Sequence, residues 1–157
     1  MHKSVDNITT VNRSDFRVAI IAGQFNPEVT EGLQRGATRA LSEAGVAEAH
    51  IDTYPVAGSF EVAELAAHLA KAVRYDAIIA LGAIVKGETS HDEHLARAVT
   101  ESILTSATTS GVPIGLGIIT ANTFEQAVAR AADDNGNRGY HAVKAALALF
   151  EQMHRKL

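Results

Sequence analysis

The chain has 157 residues, of which 46% are hydrophobic and 20% are charged, the composition and length of one compact globular domain. Its net charge of −4 at pH 7 argues against the broad basic surface on which general nucleic-acid binding depends. The lack of cysteine excludes disulfides, cysteine-ligated zinc and thiol nucleophiles. The polar start has no apolar signal core and no long apolar run follows, so we predict a cytoplasmic protein without a membrane segment.

Short apolar segments alternate with segments of helical periodicity, after a polar stretch (1–15) that is predicted to be a flexible N-terminal arm. Strands are predicted at Phe16–Gly23, Ile51–Gly58, Tyr75–Val85 and Val112–Thr120. Helices are predicted at about 26–45, 60–73, 91–109, 122–132 and 140–154. The first two helices each carry an apolar face, made of Val29, Leu33, Ala37 and Leu41 in the first and of Val62, Leu65, Leu69 and Val73 in the second.

This alternation predicts an α/β fold in which a four-stranded parallel sheet lies between two layers of helices, a three-layer α-β-α sandwich. We assign residues 1–157 to this single domain. Because four strands make a small sheet that leaves much helix surface uncovered, we also expect the protein to self-associate.

In an open parallel sheet, ligands bind beyond the carboxyl ends of the strands. This rule selects the loops GQFN (23–26), AGSFE (57–61) and GAIVKGETSH (82–91), and the stretch ITANT (119–123). Phe25 in the first loop is either a core side chain or a platform on which a flat heterocycle stacks. Ser59 and Glu61 are placed to hydrogen-bond a polar ligand, although the helix dipole alone also explains an acid in a first turn. Neither GxGxxG nor a P-loop lysine motif occurs here, which argues against a dinucleotide or a nucleoside triphosphate.

The third loop leads into a helix whose start has the spacing of a capping box, with Ser90 as the cap and Glu93 three residues later. It is either a plain capped helix or a helix N-terminus that binds a phosphate or carboxylate group. In the second case His91, in the first turn, is a candidate proton shuttle. His91 and His94, near Glu88, also suggest a metal site, but a helix start attracts anions, so no metal is predicted.

Several stretches together resemble the 6,7-dimethyl-8-ribityllumazine synthase family of riboflavin biosynthesis. They are GQFN, VAGSFEVA, YDAIIALGAIVKGETSH, GVPIGLGIIT and FEQAVARAADDNGNRG, and they carry the likeness from about Phe16 to the last helix. The resemblance implies a flavodoxin-like sheet and a transferase that condenses 5-amino-6-(D-ribitylamino)uracil with 3,4-dihydroxy-2-butanone 4-phosphate, releasing phosphate and water. It implies neither a metal nor an organic cofactor.

The same resemblance implies roles for individual residues. Phe25 would stack on the pyrimidine ring, and His91 matches the proton-transfer histidine of the family. Contacts to the uracil or its ribityl chain are implied for Ser59, Phe60, Glu61, Ala83, Ile84 and Val85. Contacts to the phosphate of the second substrate are implied for Glu88, Thr89 and Arg130. Leu116 falls where a residue of a neighbouring subunit, often phenylalanine, closes the ring pocket.

Members of this family assemble as pentamers, some of which form decamers or sixty-subunit shells. We therefore expect a homopentamer that acts on small molecules, with riboflavin synthase as a candidate partner. Among the departures from the family pattern, Lys86, Leu116 and Asp134 stand where arginine, phenylalanine and lysine are frequent. These departures leave open a relative that binds a lumazine or flavin without catalysis. A flavodoxin-like phosphate-binding enzyme of another class and a shell protein are further alternatives.

Overall fold

The computed structural model describes residues 15–87 and 89–155, so the predicted N-terminal arm lies outside it except for Asp15. The strands are β1 (Val18–Gly23), β2 (Ile51–Val56), β3 (Ala77–Val85) and β4 (Ile114–Ala121). All neighbouring strands are parallel, in the order β2-β1-β3-β4. This is the strand order with which flavodoxin-like folds begin, so the predicted sheet is confirmed.

The described residues form five α-helices and a short 3₁₀ helix at Glu48–His50. The α-helices are α1 (Pro27–Glu43), α2 (Ser59–Lys71), α3 (His91–Ser110), α4 (Phe124–Arg130) and α5 (Arg138–Met153). Helices α1, α4 and α5 pack on one face of the sheet, and α2 and α3 pack on the other. The predicted three-layer sandwich is therefore confirmed. Within the part of the chain that the structure describes, no helix is long and apolar enough to cross a membrane.

The core lies on both faces of the two central strands. Strands β1 and β3 are buried along almost their whole length, which explains why their sequences are nearly continuous apolar runs. The predicted apolar face of α1 is confirmed, because all four of its residues are buried. Helix α2 likewise buries Val62 and Leu69 against the sheet.

Val73 is the exception to the apolar face predicted for the second helix. Helix α2 ends at Lys71, and Val73 follows with a φ of 51° and 88% of its surface exposed. The prediction that it belongs to the apolar face is wrong, because the chain leaves the helix through a left-handed residue that points to solvent. Glycine is the usual residue at such a position, and a β-branched side chain is strained there.

Side-chain caps set the starts of α4 and α5. The Thr123 hydroxyl accepts a hydrogen bond from the N–H of Gln126 at 3.2 Å, and the Gln126 side chain accepts one from the N–H of Asn122. The side-chain oxygen of Asn137 accepts a bond from the N–H of Tyr140 at 3.0 Å. Because of this cap, α5 begins at Arg138, two residues before the predicted boundary.

A hydrogen-bonded cluster lies near the amino end of the sheet. Tyr75, just before β3, is buried, and its hydroxyl donates to the carboxylate of Asp52 at 2.6 Å and contacts the hydroxyl of Tyr54. The guanidinium group of Arg74 lies 3.9 Å from the same carboxylate. Burial, together with the hydrogen bonds to Asp52 and Tyr54, raises the pKa of Tyr75 above its ordinary value.

The two outer strands present different edges. The carbonyl of Val56 in β2 accepts a bond from Gln24 after β1, so the preceding residue, Pro55, directs its nitrogen to the open side. Strand β4 contains no proline, and Leu116 is exposed on it. Gly117 in β4 lets Leu81 of β3 pack closely, because a side chain at this position would overlap it.

Candidate active site

The loops after β1 and β2 meet at the carboxyl edge of the sheet. The N–H groups of Gln24 and Phe25 donate to the carbonyl of Ala57 at 3.0 and 3.1 Å. Gly58 lies so close to the Phe25 ring that any side chain there would overlap it. These contacts hold Phe25 at the edge with 68% of its surface exposed. The ring is therefore not a core side chain, and it offers an accessible face for stacking.

The first residues of α2 continue this surface. Ser59 is buried, and its hydroxyl lies against Gly82 of β3, where a side chain would overlap it. Phe60 is 61% exposed, and Glu61 is half-buried in the first turn. The loops after β1 and β2 and the end of β3 therefore converge here, and we call Phe25, Ser59, Phe60 and Glu61 the aromatic flank.

Strand β3 extends beyond β1 at this edge. The pairing of β1 with β3 ends at Leu81, whereas residues 83–85 still pair with β4. The N–H of Lys86 donates to β4 at 2.8 Å, so the even-numbered residues, including Ile84, direct their backbone groups at β4. The odd-numbered Ala83 and Val85 direct theirs to the space beyond the end of β1. Of the three residues of β3 implied as substrate contacts, Ala83 and Val85 therefore direct their backbone groups to the space beside the aromatic flank, and Ile84 directs its own at the neighbouring strand.

Helix α3 begins at His91, which is exposed. Its N–H donates to the hydroxyl of Thr89 at 3.3 Å, whereas Ser90 makes no side-chain cap. The predicted capping box is therefore wrong. Ser90 has φ −73° and ψ 1° instead of the extended conformation of a capping residue, so Thr89 supplies the hydroxyl. Glu88, the predicted phosphate contact before Thr89, lies outside the described residues.

Charged side chains surround the start of α3. The carboxylate of Asp92 accepts a hydrogen bond from the N–H of Gly87, which ties the end of β3 to the helix. Lys86 and Arg97 line the same cleft as Asp92 and Glu93, so its two positive side chains are matched by two negative ones. His94 is exposed, and no group of three or more His, Asp or Glu side chains in residues 15–87 and 89–155 is arranged to hold a metal ion.

A second group of candidate residues lies along the open edge of β4. Arg130, the last residue of α4, donates to the carbonyl of Thr120 at 2.8 Å. A cleft of about 310 Å³ lies here, and the residues that line it include Leu116, Thr120, Arg130 and Arg138. We call these four residues the cationic flank. The predicted Leu116 and Arg130 therefore share one cleft. Arg138 was not predicted as a site residue, because the last helix was predicted to begin at Tyr140. Asn137, a good capping residue directly before Arg138, is the feature of the sequence that indicates the earlier start.

Within one chain, strand β3 separates the aromatic flank from the cationic flank. The aromatic flank follows β1 and β2, the start of α3 follows β3, and the cationic flank lies along β4. Two strand spacings, about 10 Å in total, separate β1 from β4. Asp134, which replaces a frequent lysine of the resembled family, accepts a hydrogen bond from the N–H of Gly136 and thereby closes the turn between α4 and α5.

One family model and two relatives that this chain resembles carry the same enzyme name. A family model described as 6,7-dimethyl-8-ribityllumazine synthase matches residues 15–154. A relative from Caulobacter vibrioides, 6,7-dimethyl-8-ribityllumazine synthase 1, is 37% identical over 139 residues, which are 88% of this chain and 91% of the relative. A 6,7-dimethyl-8-ribityllumazine synthase from Halorhodospira halophila is 38% identical over 141 residues, which are 90% of each chain.

Proposed function

Since the chain belongs to the 6,7-dimethyl-8-ribityllumazine synthase family, we propose that the aromatic flank, the start of α3 and the cationic flank form its active site. The protein is a transferase of riboflavin biosynthesis, which condenses 5-amino-6-(D-ribitylamino)uracil with 3,4-dihydroxy-2-butanone 4-phosphate and releases phosphate and water. The observation that carries the site is the exposed Phe25 ring, held beside Ser59 and the free end of β3. This is the edge at which parallel sheets bind ligands.

The aromatic flank suits the uracil substrate. The Phe25 ring offers a face for the pyrimidine, and the backbone groups of Ala83 and Val85 point to the adjacent space, where they can pair with the polar edge of the ring. Ser59 and Glu61 provide a hydroxyl and a carboxylate for the ribityl hydroxyl groups. Phe60 adds exposed apolar surface beside them.

The start of α3 and the cationic flank suit the phosphate substrate. A helix N-terminus presents N–H groups and positive dipole charge, and Thr89 adds a hydroxyl to it. Arg130 and Arg138 supply two guanidinium groups, which bind phosphate oxygens in a planar fork. Both elements would stabilise the negative charge on the departing phosphate.

The chemistry needs orientation and proton transfer. The 5-amino nitrogen of the uracil attacks the ketone carbon, and water leaves to give an imine. Phosphate is then eliminated, and the ribitylamino nitrogen closes the ring on the carbonyl that this elimination generates, with loss of a second water. Holding the two substrates in the reactive orientation lowers such a barrier by up to about 7–11 kcal/mol. His91, exposed at the start of α3, is the group we assign to proton transfer, which contributes about 10²–10⁴-fold.

We further propose that each site joins the aromatic flank of one copy to the cationic flank of the next in a homopentamer of the cytoplasm. An apolar groove of about 380 Å³ between α3, β4 and α5 is lined by Leu104, Leu116, Leu149 and Met153, all of them exposed. A second copy would cover this surface. Helix α3 buries only Val99 and Ile103 along its 20 residues, which leaves further surface for such a contact. The number five is taken from the family, and light scattering on the purified protein tests it.

The reaction is tested by mixing both substrates with the purified protein and following the absorbance and fluorescence of the lumazine. We expect product formation that depends on both substrates. A protein that binds the lumazine without making it would refute the catalytic role, and one that responds to neither substrate would refute the proposed site altogether.

A mixing experiment tests whether the site is shared. We assign the start of α3, with His91, to the same half as the aromatic flank, so His91→Ala and Arg130→Met damage opposite halves. Random equimolar assembly of the two variants then leaves about a quarter of the shared sites with both halves intact. Co-expressed variants should therefore recover about a quarter of the wild-type kcat/KM. If both halves belong to one chain, mixing recovers nothing above the average of the two variants.

A further inference from the structure

Asn137 is fully buried between α1 and the turn that joins α4 to α5. Its side-chain nitrogen lies 3.0 Å from the carbonyl oxygen of Gly32 in α1, and 3.2 and 3.0 Å from those of Ala131 and Ala132 at the end of α4. Its side-chain oxygen caps α5 through the N–H of Tyr140. Reversing the amide would set its oxygen against three carbonyl oxygens, so the orientation of this group is determined by its partners.

Glycines of α1 and α5 make room for this arrangement. A side chain at Gly36 would overlap the Asn137 amide, and one at Gly32 would overlap the carbonyl of Ala131. Gly139, two residues after Asn137, packs equally closely on the carbonyl of Leu33. Backbone atoms of the turn and of α5 thus pack directly against α1, at positions where only glycine leaves room for them.

The segments that Asn137 joins carry the two cations. Arg130 directly precedes Ala131, and Arg138 directly follows Asn137. Both arginines line the cleft of the cationic flank, and Arg130 is bonded there to Thr120. We infer that Asn137 is a positioning residue: by tying the end of α4 to the start of α5, it sets the distance between the two guanidinium groups so that one phosphate monoester binds both. This inference rests on the proposed function.

The variant Asn137→Ser separates positioning from capping. Serine keeps an oxygen that caps α5, but it is too short to reach the three carbonyl oxygens. Because a displacement of about 1 Å costs up to about 100-fold, we expect the KM for the butanone phosphate to rise about 10- to 100-fold. The KM for the ribitylaminouracil should change by less than about twofold, because the aromatic flank lies on other strands.

The matched control is Leu69→Ala, which removes a buried side chain of α2 on the opposite face of the sheet. It should lower the melting temperature without changing either KM. If Asn137→Ser does not fold, Ala132→Gly loosens the same turn more mildly and should raise the same KM selectively. An equal rise in both KM values, in either turn variant, overturns the inference.

Titration calorimetry with orthophosphate gives a readout that does not depend on turnover. Orthophosphate should bind Asn137→Ser and Arg138→Met about tenfold or more weakly than the wild type, and Leu69→Ala like the wild type. Equal affinity of Asn137→Ser and the wild type, or no binding to the wild type, overturns the inference. The wild type could also bind orthophosphate more tightly than Asn137→Ser and yet make no product. That result would refute the proposed reaction and leave the positioning role of Asn137 standing.

Discussion

Replacing Arg130 with methionine should weaken use of the phosphate substrate and leave use of the uracil substrate intact. The guanidinium group has five N–H donors, and the bond to the Thr120 carbonyl occupies one of them at 2.8 Å. That bond holds the half-buried side chain against β4, so the donors that face the cleft are oriented before the substrate arrives. Methionine keeps the apolar stem and removes the charge.

The magnitude follows from the bonds lost. A hydrogen bond between charged groups contributes about 1.5–3 kcal/mol, and each 1.4 kcal/mol is a factor of ten in affinity. The loss of one such bond to phosphate therefore raises the KM for the butanone phosphate about 10- to 150-fold. Thermal stability should change little, since the carbonyl of Thr120 lies at an exposed edge where water replaces the arginine.

The assay is initial-rate kinetics with the butanone phosphate varied at saturating ribitylaminouracil, and then the reverse. Arg74→Met is the matched control, because the guanidinium group of Arg74 lies 3.9 Å from the carboxylate of Asp52 near the amino end of the sheet, opposite the edge that carries the cleft. It should leave both KM values unchanged. A butanone-phosphate KM for Arg130→Met within about twofold of the wild-type value would remove Arg130 from the phosphate site.

Three further results are expected. His91→Ala should lower kcat by about 10²–10⁴-fold without abolishing turnover, and undiminished kcat would exclude a proton-transfer role. Because the pKa of Tyr75 is raised in the folded protein, the unfolded chain releases this proton first. The free energy of unfolding should therefore fall as the pH rises above about 10, by at most about 1.4 kcal/mol per pH unit. The melting temperature of Tyr75→Phe should fall less steeply with pH than that of the wild type, and an equal slope would contradict this reasoning. Val73→Gly should raise the free energy of unfolding in urea by about 0.5–1 kcal/mol, because glycine adopts the left-handed conformation without the strain of a β-branched residue. Val73→Ala keeps a side chain in that conformation and should raise it less. Equal increases for the two variants would argue against strain at this position.

The layers of the fold could be predicted because they follow from periodicity. Strands β1 and β3 are buried on both faces and read as continuous apolar runs, and α1 keeps its apolar residues on one face. Phe25 could be placed at the ligand edge because it directly follows a strand of a parallel sheet. Neither inference needs knowledge of long-range contacts.

What could not be predicted depends on contacts between distant segments or on backbone angles. Val73 continues the helical spacing of α2, yet its own backbone is left-handed, so its side chain leaves the apolar face of the helix. Ser90 and Glu93 have the spacing of a capping box, but the backbone at Ser90 is not extended, so Thr89 takes the role. The Asn137 side chain fits into its buried position only because Gly36 has no side chain, and Gly36 lies about a hundred residues earlier in the chain.

The unequal edges of the sheet limit how copies can meet. Pro55 leaves β2 without a donor where an added strand would need one, which disfavours sheet extension on that side. On the other side Arg130 and Arg138 lie along β4, so two β4 edges related by a two-fold axis would set four guanidinium groups against one another. Arg130 and Arg138, which we propose bind the phosphate substrate, therefore also disfavour the pairing of two β4 edges and the aggregation that could follow from it. A variant that lacks both should be examined for fibres before its lost turnover is attributed to chemistry.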